Sequence, residues 1–382
     1  MHMKLGVPNQ GSAGESRVAT VPDVVRRLSK KGVEVVVETG AGARAHVPDA
    51  EFEEAGATIG SAEQAWGADA VAFVKAPGAA EIAQLRQGAV VMGFLNPLTD
   101  TETASALASA GVTSFAMEAI PRITRAQSMD ALSSQSTVSG YRAVLVAAEE
   151  LDRFFPMLTT AAGTIKPATV LVLGAGVAGL QAIATARRLG AVVTGYDVRA
   201  VVREQVESLG ARFLELDLET DAEGAGGYAK ALDEDQQRRQ QEAMAEAAGK
   251  FDIVITTALI PGRPAPLLLI AKAVENMRPG SVVVDLAAVT GGNCELTEPG
   301  QTVERHDVKI IGPLDLAAEM PTHASQLYAR NIQSLVELMV GDEGALELNW
   351  EDEIIAGACI TRDGEIVHEG AKNAAGPPAS KA

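Results

Sequence analysis

An apolar run, Thr169 to Leu173, leads into Gly174-Ala175-Gly176-Val177-Ala178-Gly179, and a stretch of helical period from Leu180 to Leu189 leads out of it. Gly190 ends that helix, and a second β-branched run, Val192 to Tyr196, closes on Asp197, 23 positions after Gly174. Strand, glycine-rich turn, helix, strand and acid in this order form a βαβ unit shaped for a dinucleotide. Each glycine has its own task. Gly174 permits the tight turn, Gly176 lets the backbone approach a pyrophosphate, and Gly179 brings the helix close to the sheet. Ala175 and Val177 complete the turn, and the helix amino terminus then faces the phosphates. Asp197 is expected to accept hydrogen bonds from the adenosine ribose and to repel a 2′-phosphate. That favours NAD over NADP, with Arg199 two residues later keeping the other nucleotide open.

The rest of the chain has the same grammar. Short strands alternate with helical stretches, which predicts an α/β fold with two Rossmann-like open parallel sheets and a cleft between them. In the first unit, strands are expected at Lys4–Val7, Val33–Val37, Ala70–Val74, Ala89–Phe94 and Val112–Met117, with helices at 22–31, 81–85 and 101–110. Asp100 is the expected cap of the last of these. A long helix is predicted over 137–155. A second unit follows, with strands at Thr169–Leu173, Val192–Tyr196, Arg212–Leu216, Asp252–Thr256, Ser281–Leu286 and Lys309–Ile311. A helix over 323–339 and short strands near Ile354 and Glu365 complete the pattern. The expected domains are residues 1–133 plus 313–382, and residues 134–312.

Composition narrows the functions. The 382 residues carry 32 basic and 50 acidic side chains, a formal net charge of −18, so no nucleic acid or other polyanion is expected as a partner. Aromatics are only 4%, which leaves the core to Ala, Val, Leu and Ile. Cys294 and Cys359 stand 65 positions apart without a CxxC, and the five histidines are scattered, so neither a disulfide framework nor a metal site is expected. No signal-peptide core opens the chain, and no apolar run approaches the ~20 residues that span a bilayer. A soluble, cytoplasmic chain without direct membrane insertion is the expectation.

Three further segments are candidates for the site. Asp217 to Gln241 is long for a strand-to-helix connection, acidic, with Gly224-Ala225-Gly226-Gly227 before Tyr228. It reads either as a solvated insertion or as a lid with Tyr228 as its latch. Thr257 to Pro264 follows a buried strand at the end where open sheets bind ligands. Pro121 to Ser136 lies between the two units, is dense in hydrogen-bonding groups and reads as loop-like, with a helical turn at Ala131-Leu132.

The loop Pro121–Gln135, the turn Gly174–Ile183, Thr159-Thr160-Ala161-Ala162-Gly163-Thr164 and Thr256–Pro266 together resemble the NAD(H)-binding alpha subunit of proton-translocating nicotinamide nucleotide transhydrogenase. The resemblance covers nearly the whole chain. It implies reversible hydride transfer between NAD(H) bound here and NADP(H) on a partner subunit, coupled to proton movement across a membrane. It also implies a homodimer, a membrane-spanning proton-channel subunit and a peripheral place on the cytoplasmic face of the inner membrane. Because the given sequence ends at Ala382 without a span, channel and NADP(H) site are expected on partner chains. By resemblance, Arg122, Gln127, Asp130 and Ser133 are the catalytic candidates, and Ile123, Ser128 and Met129 line the same loop against the nicotinamide end. Gly174, Ala175, Gly176, Val177 and Gly179 hold the phosphates, while Asp197, Val198 and Arg199 lie on the adenosine side. Gly227, Tyr228 and Gln240 match a mobile loop and the start of its following helix, and Ala258 and Leu259 match the wall beside the cofactor.

Alanine dehydrogenase shares this ancestry and is the rival, with a non-catalytic NAD-sensing module as a third reading. Arg17 and Lys75 resemble the residues that hold substrate in that enzyme, but its catalytic His falls on Asn96 and its catalytic Asp on Val289. Amino-acid oxidation needs a positioned base beside hydride transfer. Ring-to-ring hydride transfer needs contact and exclusion of water instead. The Asn9-Gln10-Gly11 segment, where both families more often carry charge, also departs from a substrate-binding role.

Overall fold

The computed structural model describes residues 2–216, 233–260, 262–341 and 344–375. The chain divides into two compact units, Met1–Gln135 with Ala318–Ala382, and Ser136–Ala317.

The first unit opens with β1 (Lys4–Val7), β2 (Glu34–Glu38), β3 (Thr58–Gly60), β4 (Ala70–Ala72), β5 (Val90–Gly93) and β6 (Thr113–Ala116). All five pairings among these strands are parallel, in the order β6-β5-β4-β1-β2-β3. The strands read as continuous apolar runs because both faces are covered. Val90 and Met92 of β5 enter one core with Val24, Leu28 and Tyr328, while Val91 between them enters another with Phe73 and Leu107.

The second unit begins with an antiparallel hairpin, β7 (Leu158–Thr160) and β8 (Gly163–Ile165). Its sheet contains β9 (Thr169–Leu173), β10 (Val192–Tyr196), β11 (Arg212–Phe213), β12 (Ile253–Thr256), β13 (Val282–Asp285), β14 (Thr302–Arg305) and β15 (Val308–Ile311). The order is β11-β10-β9-β12-β13-β15-β14, parallel except for the β14–β15 edge pair. Again the pleat divides the side chains. Val170, Val172, Ile253, Ile255, Val282 and Val284 pack on one face, and Leu171, Leu173, Val254 and Val283 on the other. The chain then returns to the first unit, where β16 (Cys359–Arg362) pairs antiparallel with β6 and β17 (Glu365–Ile366) with β16.

Several boundaries differ from the sequence expectation for identifiable reasons. The long helix runs Ala131–Glu150 rather than 137–155. Asp130 starts it, its carboxylate accepting the Ser133 N–H at 2.9 Å. Residues 131–135 are therefore helical rather than loop, and Thr124–Met129 before them is a 3-10 turn. The strand expected near Ile354 is a short helix, Glu353–Ala358, because Asp352 caps the Ile354 N–H at 2.8 Å and Ile354, Ile355 and Ala358 share a buried face. The helix after the glycine turn begins at Val177. In the long acidic segment, residues 217–232 lie outside the described residues, while Glu234–Ala248 is a helix with a reciprocal Asp233/Gln236 capping box. Asp100 caps its helix as expected, accepting from Thr103 N–H at 3.0 Å.

Within the second unit, helix Ala131–Glu150 meets helix Val177–Arg188 at Gly140. A Cβ there would lie 2.1 Å from the Ala178 carbonyl oxygen, well inside contact distance. Gly140→Ala is therefore expected to destabilise by about 1–3 kcal/mol through overpacking. It should read as a lower denaturant midpoint with an unchanged slope.

Candidate functional site

The second unit's sheet reverses its winding between β9 and β12, and ligands of open parallel sheets sit beyond the strand carboxyl ends at such a point. The glycine turn stands there. Gly174 has φ 94°, a left-handed conformation that favours glycine, and its N–H donates to the Tyr196 carbonyl at 2.8 Å. A Cβ on Gly179 would lie 1.8 Å from the Gly174 carbonyl oxygen, so only glycine allows the helix to approach. At Gly176 the same construction meets nothing within 4 Å. The turn is thus tight underneath and open at Gly176, and Gly176 caps a 12-residue helix whose first-turn N–H groups face outward. This is the cradle a pyrophosphate requires.

Asp197 closes the turn from the side. Its Oδ2 accepts the Ala175 N–H at 2.8 Å and an Arg199 guanidinium N–H at 2.7 Å. Its Oδ1 accepts the Arg199 backbone and Nε donors, both at 2.9 Å. The four acceptor positions of the carboxylate are thereby engaged within the chain. The expectation that Asp197 accepts ribose hydroxyls meets a carboxylate already held by Arg199. Val198 beside it is half-buried against the lower core. Gln240 lies inside helix Glu234–Ala248, buried, and donates to the Tyr196 hydroxyl at 2.8 Å. Burial pushes the Tyr196 hydroxyl pKa up, and the nearby Asp197 charge adds to the rise. Gln240, expected at the start of the helix after the mobile loop, thus lies within that helix and braces the β10 end. Gly227 and Tyr228 lie outside the described residues.

Beyond β12, the Thr257 hydroxyl donates to the Gly174 carbonyl at 3.0 Å and ties this loop to the glycine turn. Ala258 follows, half-buried, and Leu259 is exposed. Five of the unit's exposed large apolar side chains, Val177, Val201, Leu259, Val289 and Leu314, occur in segments beyond the carboxyl ends of parallel strands. Apolar surface left to solvent at this end of a sheet, beside an anion cradle, suits the flat rings of a dinucleotide. Thr257 lies in the loop the sequence singles out, whereas the buried Asp285 at the end of β13 is a candidate that sequence reasoning misses. The available signal is an acid ending the run Val282-Val283-Val284-Asp285 at a strand's carboxyl end.

The segment Pro121–Gln135 belongs to the first unit and is firmly held there. Arg125 forms a fork with Asp352 at 2.7 and 2.9 Å. Asn331 donates to the Ser128 carbonyl at 2.8 Å and accepts from the Ser134 hydroxyl at 2.7 Å. Asp130 receives both the N–H and the hydroxyl of Ser133, at 2.9 and 2.5 Å. On this frame Arg122, Gln127 and Ser128 are exposed and Ile123 is half-buried. Met129, expected in the loop against the nicotinamide end, is buried in the core with Ala126. In the same unit Arg17 is buried and gripped by Glu15 at 2.8 and 2.9 Å and by Gln135 at 3.0 Å. Burial raises the Glu15 pKa, but the hydrogen bonds and charge of Arg17 together hold it below the ordinary carboxylate value. Lys75 donates to the Ala13 carbonyl at 3.1 Å. Asn96 and Val289 are exposed, and neither side chain titrates. Among the described residues no cluster of three or more His, Cys, Asp or Glu is arranged to hold a metal ion.

Two doubly wound sheets, one with a complete dinucleotide turn, define a two-domain Rossmann-like oxidoreductase. The N-terminal domain of the alanine dehydrogenase/PNT family matches residues 6–139, and its C-terminal domain matches residues 143–369. The chain belongs to this family. It is 50% identical over 376 residues to the first portion of NAD(P) transhydrogenase subunit alpha from Rhodospirillum rubrum, covering 96% of this chain and 98% of that protein. A transhydrogenase structure from Sinorhizobium meliloti superposes with a TM-score of 0.87 at 48% identity, covering 95% of this chain and 100% of that one. Alanine dehydrogenase of Mycobacterium tuberculosis is more distant, 30% identical over 380 residues, 96% of this chain and 95% of that protein.

The cap at residue 130 gives a direct test of the loop's local support. Asp130→Ala is expected to lower stability by about 1 kcal/mol. Asp130→Asn, which keeps an acceptor, should lose less in the same denaturation measurement.

Proposed function

We propose that this chain is the NAD(H)-binding component of a proton-translocating NAD(P) transhydrogenase. Hydride then passes directly and reversibly between NAD(H) held here and NADP(H) held on a partner subunit, coupled to transmembrane proton movement. The observation that carries this reading is a complete dinucleotide cradle combined with Asn96 and Val289, an amide and an isopropyl group, where an amino-acid dehydrogenase would need acid–base chemistry.

The nicotinamide ring supplies or accepts the hydride when the nucleotide is bound. The chain's own residues bind, orient and exclude water. Gly174, Ala175, Gly176, Val177 and Gly179 hold the diphosphate through backbone donors. Asp197 and Arg199 receive the adenosine side, with ribose hydroxyls replacing part of the Arg199 fork. The retained carboxylate disfavours a 2′-phosphate, which supports NAD(H) rather than NADP(H) on this chain. Arg122 and Gln127 orient the nicotinamide end, Asp130 and Ser133 hold that loop, and Ala258 and Leu259 form a wall. A transfer of hydride alone leaves no proton for the protein to take, so positioning is the whole requirement.

No helix among the described residues is long and apolar enough to cross a membrane. The proposed peripheral place on the cytoplasmic face, through membrane-spanning and NADP(H)-binding partners, rests on the likeness to transhydrogenase alpha subunits. The hairpin β7–β8 supports a homodimer. Its six strand residues are exposed, and Phe154, Met157, Leu158 and Ile165 present apolar side chains to solvent around it. A lone two-stranded hairpin is marginal in water and gains from a cover.

The test is hydride exchange between NADH and an NAD analogue, with the purified chain, an NADP(H)-binding transhydrogenase component and NADP(H). Exchange that requires every component is expected. No exchange at saturating partner, together with alanine-dependent NAD reduction, would return the chain to the dehydrogenases. In the same assay Gln127→Asn should slow transfer by about 10-fold or more while NADH binding changes far less. Equal losses would make Gln127 only a binding contact.

A further inference from the structure

Asp285 ends β13 with no exposed surface, yet it is a carboxylate. Five neutral donors surround it. Its Oδ1 accepts from the Thr256 hydroxyl at 2.7 Å and the Ala287 N–H at 3.0 Å. Its Oδ2 accepts from the N–H groups of Asn293 at 2.8 Å and Cys294 at 3.0 Å, and from the Thr297 hydroxyl at 2.7 Å. Such a group is costly to bury unless every acceptor site is filled, and here the donors fill them. The result is a rigid post between the ends of β12 and β13.

What the post holds is Asn293, which is also fully buried. The Asn293 side chain grips both polar groups of one peptide residue: its Oδ1 accepts the Ala258 N–H at 3.0 Å, and its Nδ2 donates to the Ala258 carbonyl at 2.9 Å. The second Nδ2 donor reaches the Pro266 carbonyl at 2.8 Å. Its own carbonyl accepts from Leu268 and Leu269, each at 2.9 Å. One residue therefore laces the neck of the loop that leaves β12, while Leu259 at the start of that loop stays 45% exposed.

We propose that Asn293, fixed by Asp285, is a positioning residue that sets the height of the Ala258–Leu259 wall for the nicotinamide half of the nucleotide; this rests on the NAD(H) reading above. The Asn293 side chain that contacts the loop is an amide and carries no proton to transfer, and the network is more elaborate than closing a surface loop requires. The glycine turn is tied to the same loop one residue earlier by the Thr257 hydroxyl, and Ala258 packs beside Gly174. Different side chains, Thr257 and Asn293, therefore anchor the turn and the wall.

The separation is measurable with the full chain and its transhydrogenase partners. Asn293→Ala is expected to cut single-turnover hydride transfer by about 10- to 100-fold, while the NADH dissociation constant rises by no more than about threefold. Hydrogen exchange at the Ala258 amide, read without nucleotide, should be at least about tenfold faster than in the wild type. Thr256→Val removes one donor from Asp285 and leaves the Asn293 amide in place, so the same split should recur in weaker form. That variant carries the test if Asn293→Ala does not fold. Proportional losses of transfer and affinity, or unchanged Ala258 exchange, overturn the positioning role while the NAD(H) reading stands. Failure of the wild-type chain to bind NADH overturns both.

Discussion

The approach of helix Val177–Arg188 to β9 rests on one missing side chain. A methyl at Gly179 would stand 1.8 Å from the Gly174 carbonyl, so the helix sits low on the sheet only because nothing is there. Three consequences follow from that contact. The helix amino terminus arrives beside the switch point, its first-turn N–H groups are without intrahelical partners, and Gly176 is left open beside them. The same low helix requires a second gap at Gly140, under Ala178, where the long helix of the second unit passes. A nucleotide cradle and a helix crossing are therefore two faces of one packing solution.

In both units, buried and half-buried polar groups hold loops in place. Asp197 clasps Ala175, Thr257 reaches Gly174, and Asp285 with Asn293 fixes Ala258. In the first unit, Asp130, Asn331 and Asp352 do the same for the segment carrying Arg122 and Gln127. Each is a polar group whose acceptors or donors are filled by the chain itself, the condition under which burial rigidifies rather than destabilises. The groups left outward, Gln127, Arg122 and Leu259, are presented by backbone that has little freedom.

Much of this is legible in the sequence where local chemistry decides structure. The strands β9 and β10 run Thr169–Leu173 and Val192–Tyr196 as expected, because continuous β-branched runs bounded by glycine admit few alternatives. Asp100 announces its helix. Asp130 is harder, since the polar run Ser133-Ser134-Gln135-Ser136 reads as loop until the cap is recognised, and only tertiary bonds from Asn331 and Arg17 show why those polar residues lie on a helix. The helix at Glu353–Ala358 reads as strand because Ile354-Ile355 is β-prone and its cap precedes it by only two residues. Gln240 and Met129 come to the site through resemblance, yet both are buried, and nothing in their local sequence reports burial. Asp285 and Asn293 escape for a related reason. Their roles exist only where three segments distant in the chain converge.

The distribution of chemistry is itself an argument about mechanism. A dehydrogenase acting on an amino acid must move a proton as well as a hydride, and so needs a group that titrates near the working pH, placed against the substrate. On the proposed reading this chain has no such task, and the residues at issue agree. Asn96 and Val289 do not titrate. Arg17 is locked to Glu15, whose pKa is held below the ordinary value by that partner against the effect of burial. Lys75 is turned to a backbone carbonyl. Two acids at the strand ends of the second unit, the half-buried Asp197 and the fully buried Asp285, are engaged by donors from the chain and serve as anchors. When only a hydride moves, rate depends on how closely and how constantly two rings are held, and a small misplacement is expensive. On that reading a buried carboxylate such as Asp285 acts as a post, and the exposed amide, guanidinium and aliphatic groups of Gln127, Arg122 and Leu259 suit the first demand better than the second.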